Sequence, residues 1–215
     1  MRTEEEQVEA LKNWWKENGK SLLLGIALTL AVVFGWKGWQ NNQQVTAENA
    51  AVVYQNLVQA VALASAPQAT EDQRTTATHL AKSLKEEFGD TAYARFGALF
   101  SARLYVGSGD YSAALSELDW VLAQAPDDVM KTVASMRKAR VMAAMGDVEQ
   151  AVALLEGLKT PSFSVSIAEL KGDLYRQLGN LDKARNAYQA AVADAPQGTR
   201  PLLNLKLDSL AVKGS

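Results

Sequence analysis

Three proline dipeptides, Ala125-Pro126, Thr160-Pro161 and Ala195-Pro196, stand 35 residues apart in the chain. Alternating with them, Gly109-Asp110-Tyr111, Gly146-Asp147-Val148 and Gly179-Asn180-Leu181 recur at intervals of 37 and 33. Glycine closes a helix at no Cβ penalty, Asp or Asn caps the start of the next, and proline cannot continue a helix interior. Each glycine pair therefore reads as the turn inside a helix hairpin, and each proline as the junction to the next hairpin. One hairpin cannot bury its own apolar side, so the repeats must stack. The expectation is an all-α chain dominated by a solenoid of stacked helix hairpins.

Within that period the residue types resemble the tetratricopeptide (TPR) pattern. In the clearest copy, about 165 to 198, Gly172, Tyr175, Ala184, Tyr188, Ala191 and Pro196 match that family's consensus. A copy over about 95 to 128 places Ala102, Tyr105, Ala114, Leu118, Val121 and Pro126 equivalently. The middle copy aligns Ala139, Met142, Ala151, Leu155 and Leu158, but Pro161 arrives two residues early and shortens its second helix. Small residues let paired helices approach, while Tyr105, Tyr175, Tyr188 and Leu155 fill the wider gaps. Helical stretches at 45–64 and 71–88, the latter stopped by Gly89, cover one edge of the stack. A helix begun by Pro201, with Leu202, Leu205 and Leu210 before Gly214, caps the other.

The N-terminal part obeys a different rule. Ser21 to Trp36 is a run of sixteen uncharged residues bounded by Lys20 and Lys37. It falls short of the roughly 18 to 20 residues that cross about 30 Å of hydrocarbon. Lys20 and Lys37 lengthen it, because their aliphatic stems lie in the acyl region while the ammonium groups reach the headgroups. Trp14 and Trp15 before the run, and Trp36 and Trp39 after it, suit the two membrane interfaces. A cleaved signal peptide would end in small residues, whereas GWKGWQ follows here. A buried helix of a soluble core remains the other alternative, since the run is short.

These features divide the chain into an amphipathic tail (1–20), a signal anchor (21–39) and a helical domain (40–215). Val8, Leu11, Trp14 and Trp15 mark the apolar side of the tail, Thr3 and Glu6 are spaced as a capping box, and Gly19 loosens its join to the span. The segment Gln40 to Gln44 is either a polar hinge or a continuation of the membrane helix. Arg2, Lys12, Lys16 and Lys20 precede the span, whereas only Lys37 follows before Arg74. Basic residues near a span stay cytoplasmic, so the N-terminus is expected inside and the helical domain outside.

Chemistry-bearing residues are sparse. The chain has no cysteine and one histidine, His79, and carries a net charge of -2. Disulfides, thiolate metal sites and cysteine nucleophiles are excluded, and neither a His-rich zinc site nor a Ser-His-Asp triad with conventional members finds support. Nothing in the charge favours nucleic acid. GSGD at Gly107 to Asp110 stands where a repeat turn is required, and Asp127-Asp128 reads as a helix start. No catalytic residue, metal or cofactor is expected.

A solenoid instead offers a concave side. Carrying the TPR groove positions over gives Phe96, Leu99, Arg103 and Val106 in the first copy, then Val133, Met136, Arg140 and Ala143 in the second. In the third copy they fall on Ser166, Glu169, Asp173 and Arg176. The resemblance thus implies a protein-binding surface with arginines and apolar contacts at one end and mixed charge at the other. It lacks the Lys/Asn pattern of TPR domains that clamp a chaperone's C-terminal carboxylate.

The N-terminal part, together with this architecture, resembles the YfgM-like family of ancillary SecYEG translocon subunits, and the likeness extends loosely over the helical domain. The motif EEQVEALKNWWKENGK, the short span, the exit GWKGWQ and the Ala51 to Gln55 region carry the likeness. It implies a bacterial inner-membrane protein beside the Sec channel, with its TPR-like domain in the periplasm. Implied partners are a PpiD-like membrane-anchored chaperone, translocating envelope proteins and a cytoplasmic response regulator of envelope stress. The residues alone leave a structural adaptor of another cell-envelope assembly as the alternative.

Overall fold

The computed structural model describes residues 4–125, 127–196 and 200–211. Arg2, Thr3, Pro126 and Gly214, which entered the expectations above, lie outside that set. The described residues form nine α-helices and no strand. The chain divides into one unit ending at Asn49 and a second beginning at Ala50.

The first unit is helical throughout its described part, within α1 (Glu4–Ala64). Gly19 does not interrupt it. A glycine costs a helix interior only about 1 kcal/mol, and Gly19 is buried against the Trp15 indole, 3.2 Å from where a Cβ would stand. The Gln40 to Gln44 segment continues the helix as well, with Gln44 Nε2 donating to Glu48 Oε1 at 2.9 Å. Residues 20–45 are exposed, including Leu24, Leu28, Val32 and Phe34. α1 is long and apolar enough to cross a membrane. The expectation of a membrane-spanning helix fits that exposure; burial in a soluble core does not.

The second unit begins with the last turns of α1, whose Ala50, Leu57, Val61 and Ala64 pack on α2 (Glu71–Glu87) and on Ala94 of α3 (Ala92–Ser108). Thr70 opens α2 with a reciprocal capping box to Gln73. Leu57 and Leu84 close over Gly97, where a Cβ would lie 3.4 and 3.1 Å from their methyl carbons. Three hairpins follow: α3 with α4 (Tyr111–Gln124), α5 (Asp128–Met145) with α6 (Val148–Glu156), and α7 (Ser164–Gln177) with α8 (Leu181–Asp194). α9 (Pro201–Ala211) packs on α8 through Leu203 and Leu210. The solenoid expected from the 35-residue period is present, with α2 and the last turns of α1, from Ala50 on, at one edge and α9 at the other. α6 has nine residues where α4 and α8 have fourteen, and Pro161 opens a 3-10 turn behind it.

Gly109, Gly146 and Gly179 make the three hairpin turns in the left-handed region, at φ 80°, 99° and 74°. Behind each, the next amide donates back across the turn: Asp110 to Tyr105 O, Asp147 to Met142 O and Asn180 to Tyr175 O, all at 2.9 Å. Asp110 and Asn180 then cap α4 and α8, accepting from the amides of Ala113 and Lys183. Gly179→Ala is expected to destabilise the chain by about 1 kcal/mol through φ alone, since no atom crowds that position. Urea unfolding followed by circular dichroism measures it; an unchanged midpoint would contradict the turn assignment.

Candidate functional site

The first helix of each hairpin, α3, α5 and α7, bears the residues expected to line the concave side. Two adjoining concavities gather most of them. One, of about 290 Å³, lies between α3 and α5 and is walled by Ala102, Arg103, Val106, Arg137, Arg140 and Ala144, with Leu118 and Val141 beneath. The other, of about 320 Å³, brings Val133, Met136, Arg137 and Arg140 of α5 against Ser166, Glu169 and Asp173 of α7. Arg140 borders both.

Several residues are placed differently from the consensus. Leu99 and Met136 are only 5% and 6% exposed, so their side chains belong mainly to the core. Ala143 is buried, and the next residue, Ala144, lines the concavity instead. A fixed consensus offset transfers only if the helix keeps the same rotation, and each residue turns it about 100°. Phe96 belongs to an aromatic group with Tyr54, Tyr93 and Phe100, its ring 6.1 Å from that of Tyr54. Arg176 is exposed and lines neither concavity. Arg137 was not among the expected residues, although its spacing from Val133, Arg140 and Ala144 puts all four on one helix face.

The acidic end is already paired. Arg200 Nη1 donates to Glu169 Oε2 at 2.7 Å and its Nη2 to Ser166 Oγ at 3.0 Å. Lys206 Nζ of α9 reaches Glu169 Oε1 at 2.9 Å and Asp173 Oδ2 at 2.8 Å. Asp173 Oδ1 also accepts from the Tyr188 hydroxyl at 2.7 Å. Burial alone would raise the Glu169 carboxyl, but the hydrogen bonds from Lys206 and Arg200 outweigh it and hold the pKa below the ordinary range. Burial likewise opposes the Lys206 ammonium, and Asp173 and Glu169 more than offset it, so its pKa rises.

The signs define a pH window. Glu169 stabilises the fold above its unfolded pKa of about 4.3, and that contribution is lost as pH falls through the lower folded value. Lys206 contributes below its unfolded pKa of about 10.4 and loses its contribution as pH climbs through the higher folded value. Melting temperature is expected to drop between pH 5 and pH 3. Lys206→Met should cost of order 1 kcal/mol at pH 7 and flatten that drop; an equally steep drop in the variant would refute the coupling.

At the other end, Arg103, Arg137 and Arg140 make no ion pair among the described residues. Arg137 Nη1 donates to the Leu99 carbonyl at 3.2 Å. Burial, then the like charges of Arg140 and Arg103, lower the pKa of its guanidinium.

Among the described residues no three His, Cys, Asp or Glu side chains converge as metal ligands. Asp127 serves as the cap of α5, accepting from Met130 N at 2.8 Å. His79 is exposed, and Trp120 of α4 packs on the cluster that α2 contributes to, with Lys85 Nζ of α2 5.2 Å from its ring centroid. The expected membrane-interface residues Trp14, Trp15, Lys20, Trp36, Lys37 and Trp39 all lie on α1 with exposed side chains, and the Trp36 and Trp39 rings sit 5.3 Å apart.

Comparison with known proteins agrees with this architecture. The chain is 29% identical over 210 residues to an ancillary SecYEG translocon subunit of Escherichia coli, covering 97% of each chain. It is 28% identical over 207 residues to the protein of that name from Haemophilus influenzae, covering 96% of this chain and 97% of that one. The likeness expected from the N-terminal motif therefore runs from end to end. Among solved structures, MamA from Desulfovibrio magneticus RS-1 shares the fold, with a TM-score of 0.56 at 19% identity over 78% of this chain and 85% of that one. With residues 12–212 matched by its pattern, the chain belongs to the tetratricopeptide repeat-like domain family.

Proposed function

We propose that this chain is a non-enzymatic ancillary subunit of the Sec translocon in the bacterial inner membrane. Its end-to-end likeness to proteins of that name is the observation that carries the reading. In this reading residues 1–20 lie in the cytoplasm, 21–39 span the membrane and 40–215 stand in the periplasm. The excess of Arg2, Lys12, Lys16 and Lys20 before the span supports that orientation. The anchor holds the repeat domain beside the channel exit, which raises its effective concentration for partners there. Those partners are a membrane-anchored chaperone of the PpiD kind and emerging envelope proteins, met on the concave side. The short N-terminal arm is left for a cytoplasmic response regulator.

The physical division of labour follows from the two units. A lipid-exposed helix supplies location, and a solenoid supplies a surface without chemistry of its own. The test is purification of the full chain from membranes in mild detergent, beside a chain starting at Gln40. Channel subunits are expected with the full chain and at least tenfold less with the shorter one, an order-of-magnitude figure for lost tethering. Recovery of a different envelope complex, with no channel subunit, would overturn the assignment.

A further inference from the structure

The concavity between α3 and α5 has a composition that neither a free anion nor an uncharged peptide explains. Its rim carries Arg103, Arg137 and Arg140, while Ala102, Val106, Leu118, Val141 and Ala144 make the rest apolar. Across α5, the two carboxylates of Glu169 and Asp173 are matched by the two cations Arg200 and Lys206. That end is balanced internally, so the three arginines keep an uncompensated charge. Gathering like charges over an apolar surface is unfavourable in the free protein, and a carboxylate brought between them relieves it. Guanidinium suits this use because its planar fork meets a carboxylate with two parallel hydrogen bonds.

We propose that this concavity binds an acidic, aliphatic peptide segment: a Glu or Asp carboxylate between Arg103, Arg137 and Arg140, and a neighbouring Leu or Val side chain on Leu118 and Val141. The proposal rests on the reading of the concave side as a surface for protein segments, and adds which segments it selects. The volume of about 290 Å³ admits one or two side chains rather than a folded element. The floor argues against free phosphate, which gains nothing from apolar contact. Selection works in both directions, because a Lys or Arg at the same place would meet three cations.

The probe is a C-terminally amidated nonapeptide of Leu, Ala and Glu, labelled at its N-terminus with an uncharged boron-dipyrromethene dye. Amidation leaves the side-chain carboxylates as its anionic groups. It is titrated against the full chain in nanodiscs of phosphatidylcholine, followed by anisotropy, beside versions with Gln or Lys in place of Glu. Binding of the Glu peptide about tenfold or more tighter than the Gln peptide, and weakening with salt, is the expected result. Arg140→Glu should weaken the Glu peptide by about tenfold or more while improving the Lys peptide. A misfolded variant would lose both, so the exchange of preference separates charge from structure.

Equal binding of the Glu and Gln peptides overturns the proposal. So does displacement of the Glu peptide by inorganic phosphate at equal concentration, or by phosphatidylglycerol in the nanodiscs, which would mark an anion or lipid-headgroup site. If the Glu peptide fails to bind while the full chain still purifies with the channel, this inference alone falls. If the peptide binds and no channel subunit is recovered, the translocon assignment falls instead.

Discussion

Gly172→Ala is expected to destabilise the repeat domain by about 2 kcal/mol, even though Ala is the better helix former. The gain in helix propensity is about 1 kcal/mol, and overpacking of a filled core costs about 3. A Cβ on Gly172 would stand 2.4 Å from both Cδ1 and Cε1 of Tyr188. The Tyr188 ring has no room to retreat. It is 0% exposed, packed in one cluster with Ala184, Ala191 and Leu203, and tied through its hydroxyl to Asp173. Relief therefore requires α7 and α8 to separate, which loosens the seat of α9 as well.

The measurement is urea unfolding of the full chain in detergent, read by circular dichroism. Tyr188→Leu, which removes the ring, is expected to lower stability on its own but to abolish most of the further cost of Gly172→Ala. Contacting residues show coupling energies of about 0.5 to 3 kcal/mol in such cycles. Additive effects, or a midpoint for Gly172→Ala at or above that of the parent, would show that the two helices are not in this close contact.

The second large effect concerns the anchor. Leu28→Arg is expected to remove most of the chain from the carbonate-resistant membrane fraction. An Arg near the centre of a span costs about 2.5 to 3.5 kcal/mol, and the replaced Leu forfeits about 0.5 more. Sixteen uncharged residues leave a small margin against that loss. Leu22→Arg is the positional control, because a cation one residue inside the end extends back to the interface at little cost. Undiminished membrane retention of the Leu28→Arg chain would show that this run is not what holds the protein in the bilayer.

Much of the candidate groove was legible, and the part that was not has a common cause. Arg103, Val106, Val133 and Arg140 follow from the consensus and do border the concavities. Arg137 and Ala144 border them without being consensus positions: they share one face of α5 with Val133 and Arg140, and no local signal reports how wide a strip of that face the neighbouring helices leave uncovered. Glu169 and Asp173, expected on the concave side, line the concavity between α5 and α7. That they are neutralised by Arg200 and Lys206 is a contact across more than thirty residues of sequence, set by how α9 lands on α7 and α8.

Local rules were sufficient wherever one residue type has one structural use. The turns at Gly109, Gly146 and Gly179, the shortened α6 before Pro161, the start of α9 at Pro201 and the uncharged run of the anchor all follow from backbone geometry or transfer energy alone. Continuity of α1 through Gly19 and Gln40 to Gln44 needed the structure, since each interruption there is weaker than the helix on either side of it. So did the burial of Leu99, Met136 and Ala143 and the pairing of α9. Both are decided by side chains meeting across the stack, where small differences in packing choose which face of an already formed helix looks outward.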